Sequence, residues 1–110
     1  DNDGADVPAY TLEAKTLGSD GRKIQFVGGN SLCDAYLDAV TEVTIGGRIC
    51  EKASLSFYMG SGKYYINKTD SYLMLYADDF SKDADTQIVI KAAGYKTLTI
   101  TVDKDGNLVK

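Results

Sequence analysis

The residues of this 110-residue chain that could do chemistry are defined first by an absence. There is no histidine, the commonest general base at neutral pH and a common zinc ligand. Its many serines and threonines therefore lack their usual activator, and no GxSxG elbow is present. The carboxylates Asp78-Asp79 and Asp83 with Asp85 could furnish an acid/base pair or calcium ligands. Aspartates so spaced also favour turns in a solvated loop, which is the reading preferred here. Asp103-Lys104-Asp105-Gly106-Asn107 alternates acids before a glycine as a calcium loop does, but no glutamate follows to complete a ligand set. A tight turn accounts for it. Gly60-Ser61-Gly62-Lys63 echoes a phosphate loop without the full GxxxxGK[ST] spacing and reads as a hairpin loop. Asn67-Lys68-Thr69 has the form of a glycosylation sequon, which arises often by chance. No catalytic residue, metal site or cofactor is expected, and the chain is not expected to be an enzyme.

Two groups remain. Cys33 and Cys50 form no CxxC motif. They can close one disulfide around a loop of about 18 residues, worth roughly 3 kcal/mol in the chain-entropy model, or stay as two buried free thiols. The eight tyrosines and three phenylalanines are more informative, because Tyr58, Tyr64, Tyr65, Tyr72 and Tyr76 fall in one stretch. Exposed tyrosines offer contact area and a hydroxyl, and suit recognition of protein or carbohydrate. Buried stems in ordinary strands are the competing explanation. Tyr58, Tyr64, Tyr65 and Tyr72 are the candidate ligand-binding residues. Tyr64 and Tyr65 must point to opposite faces of a strand, so one of them faces outward.

These side chains need elements to hold them. Residues 1–8 are acidic and polar and read as a flexible tail or linker, with 9–110 as one module. Alternation marks strands at "AYTLEAKTL", "KIQFVGG", "SLSFYMG", "KYYINKTD", "SYLMLYA" and "TQIVIKA". "TEVTIGGRIC" reads as a hairpin around Gly46-Gly47. "YKTLTITV" sets Leu98, Ile100 and Val102 against Thr97, Thr99 and Thr101, a core face against a solvated one. Between Ala92 and Tyr95 the chain breaks at Ala93-Gly94. One short helix is expected near residues 31–39, capped by Asn30 or Ser31 with Asp34 near its start. "DDFSKDADT" is a polar connection with Phe80 as its buried anchor. Short strands with turn signals between them point to a mainly β chain, an immunoglobulin-like antiparallel β-sandwich with one helix.

Charge and hydropathy exclude other classes. The net charge is −4, and no basic run exceeds Arg22-Lys23, so nucleic-acid binding is disfavoured. No apolar run approaches the length of about 20 residues needed for a membrane span. The acidic start, "DNDGADVPAY", reads as part of a longer or processed protein.

"YLDAVTEVTIGG", then "KYYI", then "SYLMLYADDFSKDADTQIVIKAAGYKTLTITV" resemble the haemoglobin-interacting domain family, modules of Gram-positive surface proteins similar to those of the Shr haem receptor. The pattern is carried by Tyr36 to Gly47, Tyr64 to Ile66, Ile88 to Tyr95 and the threonine-rich last strand. The resemblance implies a β-sandwich with a short helix, displayed extracellularly as one module of a larger secreted or surface-attached protein. It implies protein–protein contact, with haemoglobin as the named partner. A carbohydrate-binding module and a structural spacer are the alternatives. The cysteine pair lies outside this pattern. Direct haem ligation is not expected: without histidine it would fall to a tyrosine, methionine or cysteine, and Met59 and Met74 read as core filler.

Overall fold

The computed structural model describes residues 4–16, 21–53, 60–76, 79–105 and 107–109. The described elements are β1 (Ala9–Thr16), β2 (Gly21–Val27), α1 (Asn30–Ala39), β3 (Val40–Ile45), β4 (Arg48–Ile49), β5 (Glu51–Lys52), β6 (Lys63–Asn67), β7 (Tyr72–Tyr76), β8 (Thr86–Ala92) and β9 (Leu98–Val102). They form a five-stranded sheet ordered β1-β2-β7-β6-β5 and a four-stranded sheet ordered β4-β3-β8-β9. All pairings are antiparallel except β5 with β6. The expected β-sandwich with one helix is present. The "SLSFYMG" stretch, with Tyr58 and Met59, lies outside the described residues.

The alternation in the sequence becomes the two inner faces. Ile24, Phe26, Tyr64, Leu73 and Leu75 line one sheet, and Val43, Ile45, Ile88, Ile90, Ile100 and Val102 the other. Each is 6% exposed or less, so the sheets close on a shared core as strands of period two require. Thr99 stays exposed on the outer face of β9, as the threonine alternation predicts. The Gly46-Gly47 hairpin is observed, with Thr44 opposite Ile49 and Ile45 opposite Arg48. Its glycines have φ of 58° and 85°, the sign a primed hairpin turn needs at both positions.

Helix α1 plugs one end of the sandwich with Cys33, Tyr36 and Leu37. It begins at Asn30, after Gly29, and no side-chain hydrogen bond caps it. The expected cap at Asn30 or Ser31 is absent because those residues are already helical. Gly28 and Gly29 make the corner at φ of 125° and 105°, values that favour glycine. At the far end of the chain, β9 starts at Leu98 rather than Tyr95. Tyr95 instead forms an isolated parallel bridge with Ala5. Residues 4–8 of the expected tail are thus bonded to the domain, with Pro8 buried and Val7 packed on the core.

Candidate functional site

Four large apolar side chains are prominently exposed among the described residues: Val27, Leu32, Ile49 and Val109. Single exposed apolar residues are ordinary on a protein surface. Val27 and Leu32 differ in flanking one glycine corner, Gly28-Gly29. Leu32 lies against Gly28, so that a Cβ there would stand 3.3 Å from Leu32 Cδ2, and Gly28 follows Val27 directly. They are 46% and 48% exposed. The two-glycine corner turns the end of β2 into the first turn of α1 and brings both side chains to the helix end of the sandwich. Ser31 and Ala35 on the outer side of α1 are also exposed.

On the core side of this corner, Phe26 and Tyr36 pack with ring centroids 5.3 Å apart, and Tyr36 meets Tyr95 edge-on at 4.9 Å. Both distances lie in the favourable range for aromatic pairs. Tyr36 is fully buried and its hydroxyl has no hydrogen-bond partner. Burial, and then the neighbouring Tyr95 and Tyr10 phenols, push its pKa well above the ordinary tyrosine value. At the rim, Lys68 Nζ meets Asp38 Oδ1 at 2.6 Å. This joins the β6–β7 turn to α1.

The candidate tyrosines are dispersed by the same alternation. Tyr64 faces the core and is 5% exposed, whereas Tyr65 is half-buried on the outer face. Tyr72 lies on that outer face yet is also 5% exposed. The Lys23 ammonium sits 4.9 Å from its ring centre, and its hydroxyl accepts a hydrogen bond from Asn67 Nδ2 at 3.3 Å. Tyr76, half-buried, is diagonal to Tyr65 across the β6–β7 pair. Tyr65 and Tyr76 therefore keep partly exposed rings, while those of Tyr64 and Tyr72 are packed away. Tyr58 lies outside the described residues. Cys33 and Cys50 are free, buried thiols.

The polar motifs resolve into loop structure. Asp79 accepts hydrogen bonds from Ser61 Oγ at 2.6 Å and from the Gly62 amide at 2.8 Å. The amide a phosphate would need is therefore already engaged. Asp79 and Asp85 both line an open groove of about 490 Å³ at the end opposite α1, together with Ile45, Arg48, Phe80 and Thr86. Phe80 is buried there as expected, and Asp83 is exposed. Asp78 lies outside the described residues. Asp103 Oδ1 accepts from the amides of Asp105 and Asn107 at 2.9 and 3.0 Å, with Lys104 and Asp105 in a turn. Asn67 Oδ1 likewise accepts from the Asp70 amide at 2.9 Å. Among the described residues no three cysteine or acidic side chains group as a metal site would require. No helix there is long and apolar enough to cross a membrane.

The family model described as "Heme-binding protein Shr-like, Hb-interacting domain" matches residues 9–103. The chain belongs to the Shr-like haemoglobin-interacting domain family. No curated protein matches it. The match spans both sheets and α1, and so takes in the Val27–Leu32 surface and the aromatic residues on the core side of that corner.

This surface was only partly legible. The sequence assigns recognition to tyrosines and treats Asn30 as a candidate helix cap. The available signal was the pair of apolar residues, Val27 and Leu32, flanking Gly28-Gly29. That pattern marks a corner between the end of a strand and the start of a helix.

Proposed function

We propose that this domain is a non-enzymatic extracellular binding module that contacts haemoglobin through the surface formed by Val27, Leu32 and the outer side of α1. It would be carried by a larger Gram-positive surface or secreted protein. The observation that carries the site is the exposure of two large apolar side chains, Val27 and Leu32, flanking one glycine corner beside a helix whose Tyr36 is packed on Phe26. An interface core needs apolar groups already held in place, because ordering them on binding costs affinity. The ligand rests on membership of the haemoglobin-interacting family.

Contact is with the globin surface in this reading, not by ligation of haem. The chain has no histidine, and Tyr36 is buried and held as a neutral phenol. Tyr72 and Met74 are packed away as well. These residues do not suit axial ligation.

Titration of haemoglobin against wild type, Leu32→Asp and Val27→Asp tests both parts. Each substitution should weaken binding by about tenfold or more, as loss of a central contact does. Tyr65→Ala, on β6 and two strands away from β2 in the same sheet, should change it little. Absence of wild-type binding would remove haemoglobin as the ligand. Undiminished binding by both aspartate variants would remove the site.

A further inference from the structure

The segment before β1 is bonded to the turn on which α1 rests. The Ala5 amide donates to Gly94 O and Ala5 O accepts from the Lys96 amide, both at 2.9 Å. Asp6 Oδ1 meets Lys96 Nζ at 2.9 Å. Gly4 lies so close to Tyr95 that a Cβ would stand 2.3 Å from the Tyr95 carbonyl carbon. Real Cβ atoms do not come that close to backbone, so only glycine permits this contact.

The same turn holds α1 from its other side. The Ala93 amide donates to Ala39 O, at the end of the helix, at 2.8 Å. The Tyr95 ring meets Tyr36, which in turn packs on Phe26. The opposite end of α1 enters through Gly28-Gly29 without a side-chain cap and is anchored in the core by Cys33. The seat at Tyr36 and Ala39 therefore shares in setting the position of the helix.

We propose that residues 4–8 are a clamp that fixes the position of α1, and through it the affinity of the Val27–Leu32 surface, with Tyr95 as the positioning residue between them. The affinity half rests on the proposed function; the coupling of clamp to helix does not. Packed side chains with a shared seat are the physical form such coupling takes.

Gly4→Ala in the full chain is the test, read by amide hydrogen exchange and haemoglobin titration. The substitution should displace residues 4–8 and raise exchange across Leu32–Asp38 by about tenfold, a local opening. Exchange at Val43 and Ile90 in the central strands should not change. Haemoglobin affinity should fall by about five- to tenfold, within the usual range of coupling between sites. Tyr95→Phe keeps the ring and should exchange as wild type does, while Tyr95→Leu should reproduce Gly4→Ala. Released Ala5 and Lys96 amides beside an unchanged α1 would overturn the clamp. So would an equal rise in every strand, which is general destabilisation. A loosened α1 with unaltered affinity would overturn the affinity half. If wild type does not bind haemoglobin, the proposed function fails, and the exchange data still decide the clamp.

Discussion

At one end of the sandwich the core is closed by a helix, and at the other by loops pinned through side-chain oxygens. The helix end buries Tyr36 and Leu37 beneath α1 and turns Val27 and Leu32 outward. The loop end is held by Asp79 on Ser61 and Gly62, and by Thr86 Oγ1, which accepts from the Ser81 amide at 2.8 Å. It leaves an open groove with Arg48, Asp79 and Asp85 in its walls. Apolar closure packs the core and leaves apolar side chains outside it. Polar closure spends its hydrogen-bonding groups internally and leaves walls of mixed charge. The helix end exposes two large apolar side chains, the composition of an interface core, and the loop end presents the mixed charge of a rim.

Tyr36→Ala should break this contrast most severely. Removing a fully buried aromatic side chain leaves a cavity under α1, and such changes cost about 3–5 kcal/mol. Tyr36→Phe keeps the packing and deletes a hydroxyl that has no partner, so it should be neutral or slightly stabilising. Urea unfolding of the two variants separates these outcomes. Equal losses would mean that the hydroxyl, rather than the ring, supports the helix end.

Alkaline pH should come next. Burial raises the pKa of the Tyr36 and Tyr64 phenols above their ordinary value of 10.0, and that of the Cys50 thiol above 9.0, with Asp79 adding to the Cys50 effect. The unfolded chain releases these protons near their ordinary values, while the folded chain keeps them. The native state therefore binds more protons above about pH 9, and stability falls as pH rises through that range. Melting curves at pH 7 and pH 10.5 should show the fall in wild type and a smaller one in Tyr36→Phe. An identical fall in both would place the sensitivity away from the helix end, at Tyr64 and Cys50.

Legibility followed the same division. Strands with clean alternation were readable, because period-two burial leaves a direct trace: β3, β8 and β9 place Val43, Ile45, Ile88, Ile90, Ile100 and Val102 as the pattern requires. The corner in "AAGYKTLTIT" was readable too, since Gly94 adopts a φ of 82°. What Tyr95 does there was not readable. Its role depends on Ala5 and Tyr36, each far away in sequence, and no local pattern encodes such a meeting. The same holds for Tyr72, a candidate for binding that the structure buries on the outer sheet face, with the Lys23 ammonium over its ring. Alternation assigns a face; it does not say what lies over that face.

Asp79→Ala probes the loop end with a smaller effect. It removes the acceptor for Ser61 Oγ and for the Gly62 amide, and Gly62 is buried. Hydrogen bonds to a charged acceptor contribute more than neutral ones, and partial exposure reduces this, so a loss of about 1–2 kcal/mol is expected. Haemoglobin affinity should not change, because this end lies across the sandwich from Val27 and Leu32. An affinity loss matching that of Leu32→Asp would reverse the assignment of the two ends.

Asp38→Asn should have the smallest effect, and it sharpens the comparison from the other side. Lys68 and Asp38 form a short contact at the edge of the proposed interface, but their side chains are 51% and 61% exposed. Asp38 raises the Lys68 pKa by hydrogen bonding and then by charge attraction, yet water screens an exposed pair of this kind, and such pairs contribute little to stability. The melting midpoint at pH 7 should match wild type. A charged rim acts mainly on encounter with a partner, so the association rate for haemoglobin should change more than the dissociation rate, and the difference should shrink in high salt. A clear drop in melting midpoint would show instead that the Lys68–Asp38 link helps hold α1 in place, and that the helix end depends on a polar tie as the loop end does.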